Sequence, residues 1–245
     1  MRLLFSLGFC ACVGFAQTSA LLPGEKLEYD ISWRIFRAGQ AQLSLARDTT
    51  GPLALWRATV EVHSTGIVSR LFKVEDVYRS TFQNGPLCSE QILKTIHEGS
   101  RHREIPIEFQ GQRRMAVLKE TDVAKNKLVR QAENPIPPCA FDVVSALYYV
   151  RAQKLEIGKS FRVPVNDGSH TILIDVEVQA REEVKTPAGV FQTIRVEPQV
   201  FGGTLFKKSG RMLLWLTEDP THRLVQLKAN LFIGTITAVV NRVSY

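Results

Sequence analysis

Residues 27–35 alternate without a fault. Leu27, Tyr29, Ile31, Trp33 and Ile35 fall on one phase, and Glu28, Asp30, Ser32 and Arg34 on the other. A strand turns successive side chains to opposite faces, so this period of two makes one dry face and one wet face; a helix would scatter the same residues around its axis. The same grammar fills most of the chain. Ala41, Leu43 and Leu45 resume it after Ala38-Gly39 as a hairpin partner, and Trp56, Ala58, Val60 and Val62 alternate with Arg57, Thr59, Glu61 and His63. Residues 72–82, 91–98, 103–109 and 115–119 continue in kind, punctuated by Gly51-Pro52, Asn84-Gly85-Pro86, Gly99 and Gly111. Past the middle, Phe161, Val163 and Val165 run into Asn166-Asp167-Gly168, a hairpin signal, and Ile172, Ile174, Val176 and Val178 alternate after it. Thr186-Pro187-Ala188-Gly189 turns the chain into 191–197; then 211–217 pairs with 224–233, and 235–243 is the last strand. About a dozen strands at this spacing predict an all-β fold, a long antiparallel meander forming a curved sheet or open barrel.

One stretch breaks the pattern. In FDVVSALYYVR, Val143, Ala146, Leu147 and Val150 recur at helical spacing, with Val144 and Tyr148 alongside. Pro135, Pro137 and Pro138 stop the preceding strand, and Asp142 is placed to cap the helix, which is expected at about 142–152. Two to three turns are too few to be stable alone in water, so the apolar stripe has to lie on the sheet. Such a helix either plugs the concave face or leaves a cavity beside itself, and that choice separates a structural domain from a ligand carrier.

The first twenty residues read as a secretory signal peptide: Arg2, an apolar run from Leu3 to Phe15, and Thr18-Ser19-Ala20 as the cleavage box. Residues 1–20 are therefore expected to leave, with cleavage near Ala20, and 21–245 to form a single exported β domain, periplasmic or secreted. Hydrophobic residues make up 44% of the chain, which suffices for a full core, and the net charge is +7. Loose basic clusters (Arg101, Arg103, Arg113, Arg114; Lys207, Lys208, Arg211) fit acidic envelope partners such as membrane headgroups or cell-wall polymers, and no nucleic acid. A merely solubilising charge is the alternative. Cys10 and Cys12 leave with the leader. Cys88 and Cys139 remain, each beside turn residues, as candidates for a disulfide, with two free thiols as the alternative.

Motifs for chemistry are missing. His63, His97, His102, His170 and His222 lack the i, i+4 spacing of a helical zinc site, no GxSxG elbow occurs, and Gly158-Lys159-Ser160 fails as a phosphate loop because Gln153 stands where its first glycine belongs. Neither metal nor cofactor is expected. Glu75 and Asp76 would point to opposite faces of a strand, and Glu218-Asp219-Pro220 reads as a turn. Asp76 shares the phase of Phe72, Val74 and Tyr78, so it is a buried polar candidate needing donors, which Arg79 or Arg151 could supply. Tyr29, Trp33 and Trp215 on strands, with Leu147 and Tyr148 on the helix, are candidates to line a ligand; ordinary core packing is the competing reading.

The segments GEKLEYDISWRIFRAGQAQL, DVVSALYYVR, TPAGVFQTIRVEP and WLTEDPTHRLVQL, in this order, resemble a family of exported bacterial proteins, the domain of unknown function numbered 3108. The resemblance spans nearly all of 21–245. It implies an envelope location and carries no activity, substrate or catalytic residue with it. By architecture alone, a long meander with one covering helix is similar to the periplasmic lipoprotein-carrier fold. The resulting expectation is a non-enzymatic protein that binds or carries an apolar or amphipathic envelope molecule, such as a lipid, with membrane-surface contact. The alternative is an assembly factor touching cell wall or partner proteins; a hydrolase ranks third.

Overall fold

A computed structural model describes residues 21–49, 51, 54–200, 210–231 and 234–245. The leader at 1–20, its cleavage box and Lys207-Lys208 lie outside the described residues. Among the described residues there are fourteen strands, all paired antiparallel. They are β1 Lys26–Trp33, β2 Phe36–Asp48, β3 Leu55–Ser64, β4 Glu75–Gln83, β5 Ser89–Glu98, β6 Arg101–Gln110, β7 Met115–Asp122 and β8 Lys127–Pro135, then β9 Ser160–Asn166, β10 Thr171–Thr186, β11 Gly189–Pro198, β12 Gly210–Thr217, β13 Leu224–Leu231 and β14 Gly234–Ser244. Helix α1 spans Gly66–Leu71 and α2 spans Val143–Arg151.

The fourteen strands make one unclosed sheet in the order β8-β7-β6-β5-β4-β3-β2-β1-β14-β13-β12-β11-β10-β9. Each half is a meander, and β1 joins β14 where the two ends of the chain meet, from Lys26 opposite Ser244 to Trp33 opposite Ile236. Register follows the alternation seen in the sequence. Leu43 faces Val60, Leu45 faces Ala58, Trp56 faces Phe82 and Ser80 faces Ile92, so one face of the first half is mostly apolar. The second half matches it, with Ile174 opposite Val163, Val196 opposite Leu214 and Leu214 opposite Leu227.

The sheet curls until its outer strands approach each other. Among the described residues no ladder joins β8 to β9; side chains span the gap instead. Asn134 on β8 donates through Nδ2 to the Gly168 carbonyl (2.9 Å), and Asn166 Nδ2 donates to Asn134 Oδ1 (2.6 Å). The backbone of Phe141 occupies the open edge of β9, donating to Pro164 O at 2.9 Å and accepting from Asn166 N at 2.8 Å. Gly168 is required here twice over. Its φ is +97°, and a Cβ would come within 2.4 Å of Leu118 Cδ1 on β7.

Three elements depart from the expectation. The first run, read as alternating through Ile35 with its partner resuming after Ala38-Gly39, ends at Trp33; Ile35 lies in the turn, 90% exposed, and Ala38 and Gly39 are inside β2. The stretch expected as strand from residue 72 contains the end of α1: Gly66 sits at φ +60°, α1 buries none of its residues, and Phe72 is its exposed C-cap. Strand β8 was not foreseen, because an edge strand exposed along most of its length has no dry face to leave a period-two trace.

Candidate functional site

Helix α2 is fastened at both ends. At its start, Asp142 accepts the amides of Val144 (2.8 Å) and Ser145 (3.1 Å) on Oδ1, and the hydroxyls of Ser80 and Ser89 (both 2.7 Å) on Oδ2. Its carboxylate thus caps the helix and ties it to β4 and β5 while fully buried. Nearby, the Cys88–Cys139 disulfide joins the start of β5 to the segment entering the helix. At the other end, Arg151 has no exposed surface and grips Glu25 with both terminal nitrogens, at 2.6 and 2.8 Å. Burial alone would weaken the hold of Arg151 on its proton, but the Glu25 carboxylate raises it above its ordinary value. Arg151 also reaches the Thr221 carbonyl, and His222 Nδ1 lies 2.7 Å from the Arg151 carbonyl.

These anchors press one face of α2 against the first half of the sheet. Val144, Ser145 and Tyr148 are buried there, with the Tyr148 ring stacked on Phe82 at 5.4 Å between centroids. The stripe that the sequence marked as apolar points the other way. Val143, Ala146, Leu147 and Val150 stand off from the second half of the sheet and leave a cavity of about 210 Å³. Its opposite wall is the concave face of β9 to β13, including Val163, Val176, Leu214 and Leu227, and every described residue lining it is apolar. An engineered apolar cavity of about 150 Å³ stays dry and takes up benzene, so a space of this size and lining suits hydrocarbon better than water.

Around the N-terminal half of the helix the cavity meets a second hollow of about 540 Å³, which shares Val143, Leu147 and Val165 with it. This one is amphipathic. Val60, Ile96 and Ile105 form its apolar floor, while Tyr78, Lys94, Glu98, Arg101 and Asp167 add polar groups. Burial pushes the Tyr78 hydroxyl up to about 12, with Asp76 and Glu98 adding to the effect.

The sequence candidates are distributed unevenly about this site. Leu147 lines both hollows. Tyr29 and Tyr148 are core: Tyr29 donates its hydroxyl to Leu224 O at 2.8 Å, and Tyr148 lies under the helix. Trp33 is 37% exposed at the end of β1. Trp215 pairs across the ladders with Arg195 and Gln226, the phase opposite to that of Leu214, and its indole donates to Glu182 Oε2 at 2.7 Å, so it belongs to the outer face. Asp76 is buried, but its donor is the His97 amide at 2.9 Å, where Arg79 or Arg151 was expected. Arg79 is exposed on the outer face, and Arg151 belongs to Glu25. Two residues were missed. Glu25 precedes the first alternating run and carries no pattern of its own. Lys94 had a signal: it stands on the dry phase of β5 between Ile92 and Ile96, the same anomaly that singled out Asp76.

Residues 28–241 match the family described as a protein of unknown function, DUF3108. The chain belongs to the DUF3108 family. Among solved structures, this DUF3108 protein is similar to a beta-barrel-like protein of the domain of unknown function DUF1849 from Brucella abortus. The TM-score is 0.59 at 7% identity, over 91% of this chain and 98% of that one, which shows a shared fold. A candidate lipoprotein from Parabacteroides distasonis aligns at a TM-score of 0.42 and 12% identity, over 91% and 96% of the two chains. A candidate exported protein with a YmcC-like fold from Bacteroides fragilis aligns at 0.41 and 9%, over 91% and 97%. No curated protein matches the chain. Among the described residues of the DUF3108 protein, no group of three His, Cys, Asp or Glu side chains is placed to hold a metal ion, and no helix is long and apolar enough to cross a membrane.

Proposed function

We propose that this DUF3108 protein is an exported, non-catalytic binding protein that holds the hydrocarbon part of an envelope molecule between α2 and the concave face of β9 to β13. One observation carries the reading: the helix is clamped to one half of the sheet and leaves a space of about 210 Å³ against the other whose described lining residues are all apolar. Export is supported by the leader-like start of the sequence and by the Cys88–Cys139 disulfide, a bond that persists in oxidising compartments. Native mass spectrometry after gentle extraction is expected to show a co-purified lipid, and the delipidated protein is expected to take up a fluorescent fatty acid. Leu147→Arg, which puts a cation into the cavity, and Leu227→Trp, which fills it from the sheet side, should both abolish uptake while the far-UV circular dichroism stays that of the parent. A clean apo mass together with no uptake by the parent protein would remove the proposal.

A second feature supports contact with a membrane surface. The β1–β2 tip exposes Ile35 (90%) and Phe36 (58%), and the neighbouring α1 connection exposes Ile67, Leu71 and Phe72. The two are joined by the bond from Thr65 N to Ala38 O at 2.9 Å. Arg34, Arg37, Arg70 and Lys73 stand among them. Apolar side chains beside cations suit the interface of an anionic bilayer.

A further inference from the structure

Lys94 projects from the concave face of β5, directly opposite Tyr78 on β4, into the amphipathic hollow beside α2. Its neighbours along the dry phase are Ile92 and Ile96, both buried. Among the described residues, no hydrogen bond or ion pair engages its ammonium. The acids around it are already occupied. Glu98 pairs with Arg101 at 3.1 Å, and Glu120 with Arg103 at 3.3 Å. Asp167 accepts the amides of Ser169 and His170, and Asp142 is saturated by the helix cap and two serines. Burial draws the Lys94 ammonium below its ordinary pKa, and the fields of Asp142, Asp167 and Glu120 offset that only in part. A half-buried cation on an apolar surface is costly when unpaired, so a concave face built for packing alone would carry an aliphatic residue at this position.

Resting on the hydrocarbon-binding reading above, we infer that the ligand is a single-chain anionic amphiphile, with its acyl chain in the apolar cavity and its carboxylate or phosphate head on Lys94. The two spaces meet at Val143, Leu147 and Val165, so one molecule passing the N-terminal half of α2 reaches both. Arg101, further out in the same hollow, stays engaged with Glu98 and serves as a secondary cation. A bound anion gives the ammonium the charge-assisted hydrogen bond that the chain itself does not provide.

Calorimetry on the delipidated full chain tests this with palmitate, hexadecanol and hexadecyl phosphate. The parent is expected to bind at least one anion about tenfold more tightly than the alcohol, the value of one charge-assisted hydrogen bond. Lys94→Met should erase the preference while leaving hexadecanol affinity unchanged, and Lys94→Arg should keep it. Whichever anion binds more tightly identifies a free fatty acid or a phosphate-headed lipid as the source. Equal affinities in the parent, or a preference that survives in Lys94→Met, overturn the headgroup assignment and leave the cavity reading standing. No binding of any of the three probes overturns both.

Discussion

Arg151 at the end of α2 and Lys94 on β5 show how differently two cations in one fold can be treated. The guanidinium of Arg151 is planar and forked, and Glu25 meets it with both carboxylate oxygens while Thr221 supplies a carbonyl. All of its charge is answered inside the chain. Glu25→Gln should therefore strand a buried guanidinium and cost about 3–5 kcal/mol in denaturant unfolding. Pairing it with Arg151→Met should recover part of that loss, because the second change removes the stranded charge. A double variant less stable than the single one would show that Arg151 contributes mainly by packing on Tyr148, over whose ring it lies at 5.0 Å. Lys94 has no such partner, and this difference is why one residue is structural and the other is assigned a ligand.

At the scale of elements, α2 is held by its polar end groups more than by its apolar stripe. Asp142, Ser80, Ser89 and Ser145 form a closed buried set at the N-terminus, and the disulfide stands just outside it. The bond closes a loop with a sequence separation of 51, which the chain-entropy view values at about 4 kcal/mol. Cys88→Ser with Cys139→Ser is expected to lose most of that figure in chemical denaturation. Hydrogen exchange at the Val144 and Ser145 amides should also rise more than at the centre of β11, since the loosened segment is the one that presents the cap. Uniform acceleration across all strands would mean that the crosslink acts only on the unfolded chain.

On the scale of the whole molecule, an even alternation of strand direction places the β1–β2 and β3–β4 connections at the same rim of the sheet. That topology is what brings Ile35 and Phe36 next to Leu71 and Phe72, residues far from forming any shared pattern in sequence. Vesicles of phosphatidylglycerol are expected to retain the protein in flotation at low salt, and vesicles of phosphatidylcholine to retain it less. Ile35→Ser combined with Leu71→Ser should weaken the retention about a hundredfold, given that burying two large aliphatic side chains contributes at least about 3 kcal/mol. Failure of the parent to float with either vesicle would exclude membrane contact through this rim.

Period-two alternation determined the all-β class, most of the strands and the faces they bury, because side-chain direction in a strand is a local property of the backbone. Asp142 as a cap and helix α2 were legible for the same reason: the spacing of Val143, Ala146, Leu147 and Val150 and the prolines before it are local signals. Only the tertiary structure decided which way that stripe faces. The anchors that rotate it away from the first half of the sheet are distant in sequence: Ser80 and Ser89 lie 62 and 53 residues from Asp142, Cys88 lies 51 from Cys139, and Glu25 lies 126 from Arg151. Whether a helix fills a hollow or leaves one depends on where distant groups pin it, and no local period carries that information.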